Sequence, residues 1–142
     1  FNNLSDESRY FRFMDTIREL SKPQLVRFTQ IDYDRDMAFV AVQIDDEGNP
    51  VQIGVSRYVA NPDGETVEFA LTVADSWQKR GLGRKLMQVL IDCARGKGFT
   101  AVVGEVLSDN SKMLNLMSSL GFKILPNPED NSVKRVVKPL TH

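Results

Sequence analysis

The sequence contains few of the residues that disulfides, metal sites and Ser-His catalytic triads require. It has a single cysteine, Cys93, and a single histidine, His142, which is the last of its 142 residues. One cysteine excludes an internal disulfide and a thiolate cluster, and one terminal histidine makes a zinc site or a triad hard to assemble. The sequence therefore predicts no metal and a chemistry that needs none of these groups.

The chain also lacks an excess of charge of either sign and lacks any long apolar run. Its 18 basic and 19 acidic residues nearly cancel and are spread along the sequence, so the basic surface of a nucleic-acid-binding protein is not expected. No apolar stretch approaches the roughly 18 to 20 residues that span a bilayer, and no apolar leader opens the sequence. We expect a cytoplasmic protein with no nucleic-acid or membrane partner.

The length of the chain fits one domain that spans residues 1–142, because a chain of this size buries a continuous core but leaves no room for a second one. The sequence begins with Phe1 rather than Met and enters a helix-like pattern at once. This start predicts that the domain is a piece of a longer protein.

Local signals predict the order helix, helix, three strands, helix, strand, helix and two strands. Cap residues and an acidic first turn predict a helix over 5–14, and Ser21 followed by Pro23 predicts a second short helix. Apolar spacing of three and four residues predicts a helix after Gly81 and another over 111–120. β-rich runs predict strands over 37–44, 51–60, 66–73, 100–107, 122–125 and 133–140. This order is typical of an α+β or mixed-sheet domain.

The segment between the third predicted strand and the third predicted helix has the features of a phosphate-binding loop. Gly81 and Gly83 let the backbone approach a ligand closely, and the following helix presents unpaired N–H groups and a partial positive charge. Basic residues surround the glycines, namely Lys79, Arg80 and Arg84. Without a Gly-Lys-Ser/Thr ending or a third glycine, neither a Walker loop nor a dinucleotide fingerprint fits. The spacing alone leaves two interpretations open, a pyrophosphate site or a tight turn with a solvated basic rim.

This segment resembles the signature of the GNAT acetyltransferase superfamily, which is Gln or Arg, two residues, Gly, one residue, then Gly or Ala. In this chain the signature reads Gln78-Lys79-Arg80-Gly81-Leu82-Gly83. A second stretch that begins at Asn110 and a closing Gly121-Phe122 also resemble the superfamily. Residues 8–13, 27–38 and 68–70 resemble, more narrowly, the acetyltransferase domain of Pat-type protein lysine acetyltransferases.

The resemblance implies a GNAT-like α+β fold, in which a mixed, mostly antiparallel central sheet is flanked by helices and the first strand is missing from this chain. It implies acetyl-CoA as the acyl donor, with the pyrophosphate on the glycine loop and the pantetheine arm along the end of the third strand. The donor-binding residues that follow from it are Leu71, Thr72, Val73, Gln78, Lys79, Arg80, Gly81, Leu82, Gly83, Arg84 and Asn110.

Acetyl transfer to an amine needs a base, because free lysine has a pKa of about 10.4 and is protonated near neutral pH. Glu68 is the candidate, since the apolar residues from Val67 to Val73 share one face of the predicted strand and leave Glu68 on the other. Pat-type enzymes place a catalytic glutamate in the matching Glu-Phe-Ala stretch, so the resemblance implies the same role here. Without the resemblance, a solvated glutamate on an exposed sheet face is the alternative.

The resemblance predicts an enzyme that moves acetyl from acetyl-CoA to a protein lysine, with an acyl-CoA synthetase as its protein partner. Met117 stands where many superfamily members carry a tyrosine that reprotonates the departing thiolate, so no general acid is assigned. A thiol pKa of about 8.5 allows water to protonate the leaving group instead. Two alternatives stay open, the same chemistry on a small amine and a non-catalytic acyl-CoA-sensing module.

Overall fold

A computed structural model of the chain describes residues 10–18, 25–32, 36–77 and 81–140. Eight strands and two α-helices form within these ranges. The strands are β1 (Tyr10–Arg18), β2 (Leu25–Asp32), β3 (Asp36–Ile44), β4 (Pro50–Ala60), β5 (Thr66–Val73), β6 (Ala101–Leu107), β7 (Lys123–Pro126) and β8 (Val133–Pro139). The helices are α1 (Leu82–Gly96) and α2 (Ser111–Ser119), and a single 3₁₀ turn (Asp75–Trp77) follows β5.

The chain divides into two compact units whose boundaries fall at the end of β4, inside β5 and inside α1. The first unit consists of Phe1–Val59 and Ala70–Leu90, and the second of Ala60–Phe69 and Ile91–His142. In the first unit, β1 to β4 pair antiparallel in chain order. In the second unit, β6 pairs parallel with β5 and antiparallel with β8, which pairs antiparallel with β7. The pairing is mixed and mostly antiparallel, as predicted.

In the first unit, the side chains in one row of paired residues decrease in size from β2 to β4. Phe28 of β2 pairs with Ala41 of β3, which pairs with Gly54 of β4. A Cβ added at Gly54 would lie 2.9 Å from Cδ1 of Leu86 and 3.2 Å from Cδ2 of Leu82. The optimal separation of two carbon atoms is about 3.5–4.0 Å, so glycine at this position leaves room for the ends of these two leucine side chains of α1 beside the backbone of β4.

The second unit has its own core, built from β5, β6, β8 and the segment after α2. Val67, Val102 and Val136 are fully buried there. The rings of Phe69 and Phe122 pack with their centroids 5.5 Å apart and their planes tilted by 58°, an arrangement that aromatic pairs favour. This core fixes the first half of β5 against β6.

The two helices predicted for the start of the chain are wrong. The structure has strand β1 over Tyr10–Arg18, where a helix over 5–14 was expected, and strand β2 from Leu25, where the second helix was expected. The residues that carried the cap signals, 1–9 and 19–24, lie outside the described part of the chain. Cap signals are local, whereas β2 obtains a full ladder of hydrogen-bonded partners from β3. Tertiary pairing therefore outweighs local helix preference here.

The other predicted elements are confirmed, with bounds that differ by at most one residue. The antiparallel pair β3 and β4, strand β5, both later helices and the last three strands lie where the sequence patterns placed them. That residues 1–142 form one domain, that the domain is a piece of a longer protein and that the family's first strand is missing all stay predictions.

Candidate functional site

Helix α1 is directly preceded by a residue whose backbone conformation favours glycine. Gly81 has a φ of +86°, a left-handed value that costs a residue with a Cβ about 1–2 kcal/mol. The carbonyl of Gly81 accepts the first helical hydrogen bond, from the backbone N–H of Lys85 at 3.1 Å. The N–H groups of the three residues between them, Leu82, Gly83 and Arg84, therefore have no acceptor within the helix.

The electrostatics of this helix end favour an anion. α1 has 15 residues and no acidic residue in its first turn, so the partial positive charge of its N-terminus is not offset by a carboxylate of that turn. Arg84 is exposed and adds a full positive charge. Lys85 is half-buried, with its Nζ atom 5.9 Å from the centroid of the Phe28 ring. The backbone N–H groups of Leu82 and Gly83, together with this potential, suit a pyrophosphate.

The chain enters the loop from the end of β5. The backbone N–H of Ala74 donates to the carbonyl of Ile53 in β4 at 2.8 Å, and the N–H of Trp77 closes the 3₁₀ turn on the carbonyl of Ala74 at 2.8 Å. The side chain of Trp77 is buried. Three predicted donor-binding residues of the loop, Gln78, Lys79 and Arg80, lie outside the described residues.

Exposure along β5 alternates as the sequence predicts. Val67 and Phe69 are buried, whereas Glu68, Ala70 and Thr72 are exposed. Within the described part of the chain, no hydrogen-bond or ion-pair partner occupies the carboxylate of Glu68. An exposed carboxylate next to a small side chain on the same face is accessible to a substrate.

The remaining predicted donor-binding residues differ in what they can present to a ligand. Leu71, Val73 and Gly83 are half-buried. Leu82 is only 5% exposed and its side chain packs toward Gly54. Leu82 can therefore reach a bound molecule only through its backbone.

Asn110 caps helix α2 in addition to any contact with a ligand. Its Oδ1 atom accepts a hydrogen bond from the backbone N–H of Met113 at 3.1 Å, and its side chain is exposed. Asparagine directly before a helix is a strong N-cap signal, which our interpretation of the sequence did not use. Met117, further along α2, is fully buried, so its side chain belongs to the core of the second unit.

The sequence interpretation also missed two residues of β4, Gly54 and Ser56. Ser56 is fully buried and its Oγ atom donates to the backbone carbonyl of Leu86 in α1 at 3.0 Å. The only signal in the sequence is a small polar residue in a strand-like apolar run. In the described ranges, no three His, Cys, Asp or Glu side chains are grouped closely enough to bind a metal ion, and no helix has the length and apolarity to span a membrane.

A strand that leads through a glycine loop into a helix N-terminus with positive potential suits a ligand that carries a pyrophosphate, such as coenzyme A. Comparison with known proteins agrees. The model of the acetyltransferase (GNAT) family matches residues 4–122. The chain belongs to this family.

Two relatives and one solved structure are similar to the chain over most of its length. The chain is 38% identical over 131 residues to the acetyltransferase PA5475 of Pseudomonas aeruginosa. This match covers 92% of this chain and 70% of the relative. It is 35% identical over 118 residues to the acetyltransferase Pat of Mycolicibacterium smegmatis. This match covers 82% of this chain but only 34% of Pat. The GNAT domain of PAT from S. lividans has the same fold, with a TM-score of 0.64 and 24% identity over 77% of this chain and 64% of that one.

These findings define the coarse activity. The chain is an N-acetyltransferase of the GNAT type, and its acyl donor is acetyl-CoA. The described geometry fits that donor, because the start of α1 offers backbone N–H groups and positive potential to a pyrophosphate.

Proposed function

We propose that this chain transfers the acetyl group of acetyl-CoA to a lysine side chain of a protein, an acyl-CoA synthetase, with Glu68 as general base. The observation that carries the proposal is the exposed carboxylate of Glu68 on β5, the strand whose other end leads into the glycine loop. Similarity to Pat and the resemblance of Glu68-Phe69-Ala70 to the Glu-Phe-Ala stretch of Pat-type enzymes support the acceptor class. We propose the cytoplasm as the compartment of the reaction.

Glu68 supplies the proton transfer that the reaction requires. A lysine side chain is protonated near neutral pH, since its pKa is about 10.4. The Glu68 carboxylate accepts one of its protons, directly or through a water molecule, and leaves a neutral nitrogen that attacks the thioester carbon. As the new C–N bond forms and the C–S bond breaks, the nitrogen gives up its second proton to water, and water protonates the thiolate of coenzyme A.

The backbone around β5 and α1 supplies binding and charge stabilisation. We assign the stabilisation of the charge that develops on the thioester oxygen, which lowers the barrier, to a backbone N–H near the end of β5, between Leu71 and Val73. The pyrophosphate binds the N–H groups at the start of α1, with Arg84 as its charged neighbour. Anchoring the donor at its pyrophosphate holds the acetyl group at one place, which converts part of the binding free energy into rate.

The experiment measures thiol release from acetyl-CoA, with an acyl-CoA synthetase, with small amines and with no acceptor. It compares the wild type with Glu68→Gln and with Glu65→Gln, a matched variant of an exposed glutamate in the turn before β5. We expect release to require the synthetase and to fall about a hundred- to ten-thousand-fold in Glu68→Gln. Glu65→Gln should behave like the wild type.

The pH dependence adds a second readout. Without its base, Glu68→Gln can use only lysine that is already neutral, so its residual rate should rise roughly tenfold per pH unit below the lysine pKa. Release with small amines but not with the synthetase would replace the proposed acceptor class. Binding of coenzyme A with no release under any condition, unchanged in Glu68→Gln, would favour a sensing module and contradict the proposal.

A further inference from the structure

Strand β4 contacts both ends of the loop that leads from β5 to α1, residues 74–81, which we call the phosphate loop. At the entry of this loop, the N–H of Ala74 donates to the carbonyl of Ile53 at 2.8 Å. Beyond its exit, the start of α1 packs on Gly54 and is held by the hydrogen bond from Ser56 to Leu86. Three residues within one short stretch of a strand, Ile53, Gly54 and Ser56, therefore carry the contacts that fix where the phosphate loop begins and where it ends.

A β-bulge at Ile53 makes the entry contact possible. Ala41 pairs with Gly54 and Val42 with Gln52, so Ile53 has no partner in β3. A bulge of this kind bends the strand locally and redirects its groups. Ile53 and Gly54 are both buried although they are adjacent, and the carbonyl of the extra residue, Ile53, accepts from Ala74.

Gly54 sets the distance between α1 and β4. A Cβ at this position would lie 2.9 Å from Leu86 Cδ1, 3.2 Å from Leu82 Cδ2 and 3.3 Å from the carbonyl oxygen of Thr72. The glycine therefore lies beneath the first turn of α1 and beside the end of β5 at once. Any larger residue has to displace the ends of the Leu82 and Leu86 side chains and presses on the backbone at the end of β5.

Ser56 sets the position of α1 along its own axis. Among the residues whose side-chain burial the structure describes, Ser56 is the one fully buried polar residue, and its hydroxyl donates to the carbonyl of Leu86 at 3.0 Å. That carbonyl already has a helical donor four residues further on, so the serine is not needed to satisfy it. Apolar packing is non-directional and resists sliding poorly, whereas a hydrogen bond fixes one atom of the helix relative to the strand.

We propose that Gly54 and Ser56 are positioning residues for acetyl-CoA. Neither touches the donor, and both act through α1, whose first residue, Leu82, lies one turn before Leu86. They fix the distance of α1 from β4 and the position of α1 along its own axis. In this way they place the N–H groups of its first turn where the pyrophosphate binds. The inference rests on the proposed binding of acetyl-CoA at the phosphate loop.

The test compares binding with stability. Variants Ser56→Ala, Ser56→Cys and Gly54→Ala are measured for the dissociation constant of coenzyme A by calorimetry, for kcat, for KM toward both substrates and for the melting temperature. Val136→Ala is the matched control, because it truncates a fully buried residue of the second unit. It should lower the melting temperature and leave coenzyme A binding unchanged.

We expect Ser56→Ala to weaken coenzyme A binding and to raise KM for acetyl-CoA about three- to tenfold, the range of one hydrogen bond, with kcat and KM for the acceptor unchanged. Ser56→Cys should lie between Ser56→Ala and the wild type, because a thiol is a weak donor. Gly54→Ala should show the largest loss. If Gly54→Ala does not fold, the two Ser56 variants decide the outcome by themselves.

Two negative results remain distinguishable. If the wild type binds coenzyme A and all three variants bind it equally well while melting at lower temperature, Gly54 and Ser56 are ordinary core residues and this inference alone is wrong. If the wild type does not bind coenzyme A, the proposed function is overturned and this inference falls with it.

Discussion

The ring of Phe69 in β5 occupies the space that a side chain at Gly104 in β6 would fill. A Cβ built at Gly104 would overlap three ring carbons of Phe69. Because side chains alternate along a strand, burial of Phe69 on this side places its neighbour Glu68 on the opposite face. A core contact in the second unit therefore determines the face of the sheet on which the candidate base lies.

The substitution Gly104→Ala should destabilise the protein by about 1–3 kcal/mol, because the new methyl group forces the buried ring of Phe69 out of its place. The free energy of unfolding in urea measures the loss. Gly96→Ala is the control, since a Cβ there meets no atom within 4 Å. Phe69→Leu in the Gly104→Ala background should recover part of the lost stability. An equal loss from both single alanine variants would contradict the packing described.

Gly81 and Gly64 both have φ angles in the left-handed region, but they lie in different surroundings. Their φ angles are +86° and +70°, so alanine at either position should cost about 1–2 kcal/mol of stability. Gly64 lies in the turn before β5, whereas Gly81 directly precedes α1. We expect only Gly81→Ala to weaken coenzyme A binding as well, measured by calorimetry. Equal coenzyme A affinity in the two variants would argue against a pyrophosphate at the start of α1.

Two substitutions of Asn110 distinguish its role as the N-cap of α2 from its predicted contact with acetyl-CoA. Asn110→Ala removes the acceptor for the N–H of Met113 and should cost about 1 kcal/mol, whereas serine keeps a capping oxygen. We expect both variants to raise KM for acetyl-CoA and only the alanine variant to lower the melting temperature. Wild-type KM in Asn110→Ser would reduce the role of Asn110 to capping α2.

The turn between β4 and β5 should make stability depend on pH in the acid range. Backbone N–H groups of Glu65 and Thr66, together with the Thr66 hydroxyl, donate to Asp63 and hold the pKa of its carboxyl below the ordinary value of 3.8. A depressed folded-state pKa contributes stability that is present above the unfolded pKa and lost as the pH falls through the folded one.

Asp63→Asn removes that titration. The melting temperature of the wild type should exceed that of Asp63→Asn near about pH 6, and the difference should shrink as the pH falls below about 4. Thermal unfolding followed by circular dichroism across this range measures it. A difference that stays constant with pH would show that ionisation of Asp63 does not stabilise the turn.

Much of the fold after residue 36 could be predicted because its signals are local and strong. The run of apolar residues at helical spacing after Gly81 predicted α1, and the alternation around Glu68 predicted which side chains of β5 are exposed. The start of the chain could not be predicted in this way. Its cap-like residues favoured helices, while β2 is a strand because β3 offers it partners residue by residue.

The sequence by itself determined the family, the place of the glycine loop and the candidate base, because each depends on residues within a few positions of one another. Only the tertiary structure decided that β1 and β2 are strands, that Ile53 bulges toward Ala74 and that Ser56 holds Leu86. Ser56 and Leu86 are 30 residues apart in the chain. Contacts of that separation leave no periodic pattern in the sequence, since they form only when distant segments pack together.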